Sequence, residues 1–456
     1  MESILNFVND LGNFVFIPLI FLIIMLILRE SLANSIRSAM KVGIGFLALG
    51  MVVDFMLSKL QPVIEQLAEK TGSTLSTIDV GGASTAVMGL ASNLGALVIV
   101  LCFGVNILML LTGFTDCVNV DVYNLHQNAS MGIIVAIYSG NFMYGFCTAA
   151  LLHVWALIMA DYTAKKNQDF FGLPESVSIS HPIANSYVPF AVMFNWIFDR
   201  IPVINRINIT SETIEKRMGI FGENTMIGFI VGFLLSIFSV GLSDPYHAII
   251  ASIQLGMQMG AVLLLLPKMA GIMMEGLLPM SEAAKRMLVN KFPNRKITVG
   301  LDTAIIVGDP SVIAPSLILI PSLLIMAVIL PGNTVLPLGD LPYLCFYIAC
   351  MVPIFKGNIF RIWLSSLICF GGGLYLATWL SAPTTQAFLQ FGTGGQAGLS
   401  YSSIDPSANP FTALFALATN YGYIAFAAIL IIMLAYAYQQ KNRRLNKTLV
   451  TVEEGE

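Results

Sequence analysis

The stretch Ile78–Gly89, IDVGGASTAVMG, has a counterpart in Ile297–Gly308, ITVGLDTAIIVG. At one fixed offset the Ile, Val and two Gly positions coincide, and Ser84 faces Thr303. The correspondence continues downstream: Leu111, Gly113, Thr115 and Asp121 meet Leu330, Gly332, Thr334 and Asp340. After a short slip, Ile137-Tyr-Ser-Gly140-Asn141 meets Ile354-Phe-Lys-Gly357-Asn358. A weak internal repeat in an apolar chain is the sequence mark of a transporter, whose site lies where the halves meet and is built from broken helices.

The surrounding composition agrees. Of 456 residues, 56% are apolar and 11% charged, against roughly 25% charged in soluble proteins. Lipid must therefore be the solvent for much of the surface. A net charge of −3 argues against a nucleic-acid partner. The six cysteines lie in or beside apolar runs, without metal spacing or a disulfide framework, and read as reduced packing residues. The first apolar run ends in Leu28-Arg29-Glu30 with no small-residue cleavage site, so it reads as a retained span.

Runs long enough to span are 12–28, 41–58, 94–113, 142–160, 225–243, 248–267, 316–336, 359–380 and 413–438. Two shorter runs extend backward through polar residues, as 122–139 and 340–355. The chain is expected to be an all-α polytopic membrane protein of about 11 transmembrane helices. Lys and Arg gather in 29–41, 161–224, 281–296 and the tail, and are absent from 381–412. The positive-inside rule then puts the N-terminus outside and the C-terminus in the cytoplasm. An odd number of spans per half, about five, makes the repeat inverted. The expected division is 1–160, first repeat; 161–224, cytoplasmic or interfacial linker; 225–380, second repeat; 381–412, external loop; 413–438, last transmembrane helix; 439–456, cytoplasmic tail. Segment 114–130 should be cytoplasmic yet has no Lys or Arg, which suggests a loop tucked into the protein.

Residues 78–93 and 297–315 are too polar and Gly-rich to face lipid. Each follows an amphipathic helix, Lys59–Lys70 or Ser281–Lys291, and precedes a clean span. Re-entrant helical hairpins are expected there, because irregular backbone at membrane depth needs cover from protein or a water-filled cavity. Gly81, Gly89, Gly300 and Gly308 are the residues that would build the shared turn.

Intramembrane ionisable residues default to functional candidates. Asp302 and Asp309 lie in the second hairpin, and Asp309-Pro310 marks its tip. Asp309 is the first candidate to accept hydrogen bonds from sugar hydroxyls, with helix capping as the alternative. Thr303 and Ser311 flank these carboxylates, and Ser84 and Thr85 are the matching hydroxyls of the first hairpin. His126, Gln127 and Asn128 head a polar-fronted span and need partners. Asn141 and Asn358 recur before helix starts and read as caps, as do Asp121 and Asp340. His153, alone on an apolar face, reads as a core histidine, while Lys356 and Arg361 read as snorkelling at a span end. There is no Walker A motif, catalytic triad or metal-ligand cluster. No cofactor or metal is expected, so transport energy must come from an ion gradient or another protein.

Several motifs together carry a resemblance. They are Val299-Gly-Leu-Asp302, Leu330-Pro-Gly-Asn333 followed by Val335-Leu-Pro-Leu-Gly-Asp340, Asn119-Val-Asp121, Lys356-Gly-Asn-Ile-Phe-Arg361 and Ile201-Pro-Val-Ile-Asn-Arg-Ile207. Over roughly 5–440 the chain resembles the membrane (IIC) component of galactitol-type phosphotransferase systems, in the ascorbate–galactitol superfamily. The resemblance implies a bacterial inner-membrane permease with no phosphorylated residue of its own. It implies that a separate EIIB, fed by EIIA, phosphorylates the incoming substrate from a phosphocysteine. It further implies a homodimer, each subunit pairing a moving core with a V-shaped dimerisation domain. Asp309-Pro310 stands where a galactitol member can carry His and a small polar residue, so the substrate is galactitol or another polyol or sugar. An ion-coupled carrier using Asp302 and Asp309, or a membrane sensor without transport, are the alternatives from other classes.

Overall fold

The computed structural model describes residues 18, 19, 22, 23, 25–27, 29–70, 76–119, 121–212, 224–241, 244–291, 295, 297–337, 339–392 and 397–453. The expected span 12–28 lies mostly outside them, as do 213–223 of the expected linker.

The repeat folds around two small sheets. The first orders β5 (Val335–Leu336), β1 (Thr77–Asp79) and β6 (Ser400–Ser402), with β1 in the middle and both pairings parallel. The second orders β2 (Cys117–Asn119), β4 (Thr298–Leu301) and β3 (Val177–Ile179), with β4 in the middle and both pairings parallel. The strand of each repeated stretch is thus held on both sides by strands from the opposite half of the chain. Side-chain hydroxyls brace the edges: Thr77 meets Thr334 and Ser400, and Thr298 donates to Ser178. These pairings satisfy backbone polar groups that lipid cannot.

The described helices are α1 (Leu32–Lys70), α2 (Gly81–Ala91), α3 (Gly95–Thr112), α4 (Val122–Ser139), α5 (Phe142–Phe171), α6 (Pro182–Phe198), α7 (Pro202–Asn205), α8 (Asn224–Val240), α9 (Pro245–Lys291), α10 (Pro310–Ile329), α11 (Leu344–Ile348), α12 (Ile359–Trp379), α13 (Ser381–Phe391), α14 (Pro410–Ala418) and α15 (Tyr423–Glu453). Among the described residues, four are long and apolar enough to cross a membrane: α5, α10, α12 and Tyr423–Asn442 of α15. Val100–Thr112 and Gly228–Val240 are shorter apolar helices.

Helices α1, α8 and α9 pack together as one group. Gly228 and Gly232 meet backbone of Met259 and Leu255, and Gly256 and Gly260 meet Phe229 and Thr225, so α8 and α9 touch with no room for a Cβ between them. The other helices surround the sheets, in a core running through Leu157, Tyr187, Leu323 and Phe370.

The structure departs from the expected segments in four places. Lys59–Lys70 and Ser281–Lys291 are not separate amphipathic helices but the ends of α1 and α9. Within the expected linker 161–224 lie the end of α5, β3, all of α6 with its largely buried first half, and α7, and within the expected loop 381–412 lie α13, β6 and the start of α14. Segment 340–355 is not one helix but a 3-10 turn, α11, a second 3-10 turn and further turns. Segment 413–438 breaks at Thr419–Tyr421, where Gly422 follows with φ 69°. Strands of three residues carry no usable periodicity, so polar residues around them read as loop.

The loop before β2 is tucked in, and a distant cation holds it. Arg295 binds the Asp116 carboxylate at 2.8 Å and donates to the carbonyls of Leu110 and Thr115. Thr115 and Cys117 are buried beside it.

Candidate functional site

The repeated stretches are strand–turn–helix units rather than pairs of helices. In the first, Asp79 Oδ1 accepts from the Gly81 backbone N–H at 3.1 Å, and Oδ2 accepts from the Asp340 N–H at 2.8 Å. Gly81 has φ 77°, and a Cβ there would sit 2.6 Å from the Gly339 carbonyl oxygen, so only glycine fits. In the second, Asp302 Oδ1 accepts from Ala304 N–H at 2.7 Å, while the Asp302 N–H donates to Asp121 Oδ2 at 3.0 Å. Asp121 and Asp340, expected as caps, therefore reach across between the two halves. The reason is the strand pairing, which ends each partner strand opposite the other copy's turn.

His181, Gln127 and Asp302 meet at the second turn. His181 begins α6 and accepts from Ala184 N–H through Nδ1 at 3.1 Å. The imidazole proton therefore sits on Nε2. That nitrogen lies 2.9 Å from the Gln127 side-chain amide and 3.7 Å from Asp302 Oδ2. Donation from Nε2–H requires the amide oxygen of Gln127 on this side, an assignment made from the hydrogen-bond network. The other amide atom then has no partner among the described residues. His126 adjoins Gln127 on α4 and is buried. Thr303, fully buried beside Asp302, has a hydroxyl without a well-aligned partner. His181 and Asp302 are themselves 2% and 5% exposed, so unsatisfied polar groups here carry a real desolvation cost unless a ligand meets them.

Not every expected site residue joins this cluster. Asn128 turns the other way, its amide 3.3 Å from His153 Nδ1. Thr85 is buried and returns its hydroxyl to the Gly82 carbonyl, while Ser84 is half-buried on the same helix. Asp309 is half-buried and caps α10 through Ser311 N–H at 2.7 Å; Ser311 Oγ meets Ser211 Oγ at 3.2 Å. Asn141 and Asn358 cap α5 and α12, accepting from Met143 and Arg361 N–H. Arg361 is not snorkelling: it is 8% exposed and donates to Asn195, Asp199 and Asn205. Gly89 lets α2 approach α4, where a Cβ would lie 2.7 Å from Ser130 N. Gly300 brings β4 against Ser180 and Cys117, and Gly308 closes the buried turn before Asp309.

A second repeat went unread in the sequence. Ser176-Val-Ser178-Ile-Ser-His181-Pro182-Ile-Ala184-Asn185 matches Ser400-Tyr-Ser402-Ser-Ile-Asp405-Pro406-Ser-Ala408-Asn409. It pairs His181 with Asp405 and covers β3 and β6, one edge strand of each sheet. Asp405 is 2% exposed; its N–H donates to Asp340 Oδ2 at 3.0 Å, and its Oδ1 has no well-aligned partner among the described residues. Asp340 also accepts from Tyr347 and Ser403 hydroxyls. Gly82 lies against this group: a Cβ there would be 2.9 Å from Asp405 Oδ2 and 3.1 Å from the Tyr347 hydroxyl. The sequence signal was the Ser-x-Ser-x-x-[His/Asp]-Pro-x-Ala-Asn echo, which polar, loop-like composition concealed. Among the described residues no group of three His, Cys, Asp or Glu side chains is arranged for a metal ion.

The family whose description reads "PTS system sugar-specific permease component", EIIC-GAT, matches residues 6–405. The chain belongs to this family. It is also 36% identical over 387 residues, 85% of its length and 87% of the relative's, to an Escherichia coli (strain K12) protein named "Putative permease IIC component". Galactitol-specific EIIC components of Escherichia coli K12 and O157:H7 are each 31% identical over 411 residues, 90% of this chain and 89% of theirs. As an EIIC permease it works with EIIB and EIIA components on a sugar-class substrate, and its apolar helices belong in the bacterial inner membrane.

Proposed function

We propose that the chain carries galactitol or a related polyol or sugar inward, binding it against the cluster of His181, Gln127, Asp302 and Thr303. His126 lies beside that cluster, Ser84 and Thr85 lie on α2 after the first turn, and Asp309 and Ser311 stand at the start of α10 after the second. The observation that carries this reading is the set of buried polar atoms left without partners where the two halves interlock. A polyol offers alternating donors and acceptors, which suits an amide, a hydroxyl, an imidazole and a carboxylate converging on one place. The 31% identity to galactitol-specific relatives supports the substrate class.

The strand exchange supports an inverted repeat, because each sheet joins a turn of one half to strands of the other. The core around the sheets moves as a unit against α1, α8 and α9, whose exposed apolar residues, such as Met51, Phe238 and Met257, suit lipid or a second subunit of a homodimer. The N-terminus lies outside and the basic stretches lie in the cytoplasm. There the substrate hydroxyl receives the phosphoryl group from EIIB, the chain itself carrying no phosphorylated residue.

The test is a panel of hexitols, pentitols and sugars offered to the reconstituted protein with EIIB, EIIA and a phosphate donor. One phosphorylated product is expected, with galactitol first on the list. No product from any candidate overturns the reading. Uptake that survives without the phosphocarriers and collapses with an uncoupler assigns the carboxylates to ion coupling instead.

A further inference from the structure

The run of turns that follows Met351 closes with Lys356 N–H on the Pro353 carbonyl and Gly357 N–H on the Val352 carbonyl. This is the Schellman arrangement, whose left-handed position glycine normally fills. Here that position holds Lys356, with φ 52°. In the matching stretch of the first half the same pair of bonds runs from Gly140 to Ile137 and from Asn141 to Ala136. There glycine takes the left-handed position, with φ 65°, and the residue aligned with Lys356 is Ser139, whose hydroxyl returns to the Val135 carbonyl.

The aligned glycines, Gly140 and Gly357, are left-handed at both ends, with φ 65° and 72°. The second half adds a left-handed lysine immediately before its glycine, where the first half has Ser139. The lysine is exposed, and no carboxylate pairs with it among the described residues. Its setting is specific. A Cβ on Gly357 would lie 3.4 Å from Ser311 Oγ at the start of α10, next to the Ser211 hydroxyl. Asn358 and Ile359 bind the carbonyls of Ile207 and Ile209, in the stretch that also carries Arg200 and Arg206. The Asp309 carboxylate is nearby, already engaged in capping.

We propose that the Lys356 ammonium contacts the phosphoryl oxygens, without itself being phosphorylated, as the group passes to the substrate at the cytoplasmic mouth. The inference rests on the proposed coupling to EIIB and adds the residue that meets the donor. In the transfer the P–S bond of the partner's phosphocysteine breaks and a P–O bond to the substrate hydroxyl forms. The hydroxyl proton passes to the departing thiolate, leaving a thiol. The ammonium offsets the charge on the phosphoryl oxygens, which an inverted repeat needs only on the side the donor reaches.

The experiment compares Lys356→Gly, Lys356→Arg and Arg29→Gly in reconstituted protein. Arg29 is the control, since it too is left-handed, with φ 63°. Lys356→Gly should keep or raise thermal stability and leave binding of unphosphorylated polyol unchanged. It should lower phosphorylated product at saturating polyol at least tenfold (an order-of-magnitude expectation for one lost charge-assisted contact). Lys356→Arg should restore most of the rate, and Arg29→Gly should leave it intact. Full activity in Lys356→Gly, an equal loss in Arg29→Gly, or a matching loss of polyol binding overturns the inference alone. No product from the wild type overturns the reading beneath it.

Discussion

At one end of the interlocked core, His181 turns its Nε2–H toward Gln127 and stands 3.7 Å from a single carboxylate, Asp302. At the other, Asp405 occupies the position of His181 and faces Asp340 and the Gly82 backbone. Asp79 and Asp340 have their oxygens engaged by backbone amides and hydroxyls, so they act as struts. Asp302 spends one oxygen on the turn and presents the other to the imidazole. The same backbone device thus serves two purposes. One copy locks the halves together, and the other combines an acceptor, a donor and a neutral amide in a form that a hydroxylated solute can use.

The sharpest break of this comparison lies in the glycines that bring the halves together. Gly81→Ala adds a methyl group against the Gly339 backbone and forces a left-handed alanine. It should cost about 3 kcal/mol, the sum of the conformational and overpacking penalties. Gly300→Ala places a methyl group against the buried Ser180 and Cys117 side chains, including Ser180 Cβ at 2.9 Å, but needs no left-handed alanine, and should cost about 2 kcal/mol, from overpacking alone. Thermal unfolding in detergent reads both. Equal costs would mean that the two turns are braced alike.

The carboxylates come next. Asp302→Asn keeps an oxygen for the Ala304 cap but turns the other, which stands 3.7 Å from His181 Nε2, into an NH2 donor. Losing that acceptor for a solute hydroxyl, at about 1–3 kcal/mol, predicts roughly a ten- to hundredfold fall in kcat/KM for polyol phosphorylation. Asp405→Asn retains one acceptor and should lower it roughly tenfold or less, at about 1 kcal/mol. A larger loss at Asp405 would reverse the assignment of roles between the ends. Gln127→Leu leaves His181 Nε2–H unpaired, and should weaken polyol binding by roughly tenfold, measurable by calorimetry.

Much of this was legible from the chain. The repeat showed where the turns lie, because Gly81 is forced by its left-handed φ and the Gly339 backbone, and Gly300 by the close approach of Ser180 and Cys117, and both leave a fixed mark in sequence. The polar heading of α4 pointed to His126 and Gln127. Three things were concealed. Strands β3 and β6 are three residues long and have no period, so His181 and Asp405 beyond them passed for loop residues. The crossing of Asp121 and Asp340 depends on which strand pairs with which, and local capping propensity cannot report that. Asp309, as a carboxylate before a proline, carries the same pattern whether it binds a solute or caps a helix; in the fold it caps α10.

The smallest contrast concerns the two Gly-Asn starts. Asn141 caps α5 through Met143 N–H and reaches Tyr423 only at 3.4 Å, in an exposed setting. Asn358 caps α12 through Arg361 N–H and also donates to the Ile207 carbonyl at 2.7 Å, tying down the stretch that carries Arg200 and Arg206. Asn141→Ala should cost about 0.5–1 kcal/mol, the ordinary value of a cap. Asn358→Ala should cost about 1–2 kcal/mol, because it also strands a carbonyl. If the stretch after α6 is positioned for EIIB through this bond, Asn358→Ala should raise the EIIB concentration needed for half-maximal transfer, while Asn141→Ala leaves it unchanged. Equal EIIB dependence in the two variants would reduce Asn358 to a cap like its counterpart, and would place the difference between the two ends in Lys356 and the turn clusters alone.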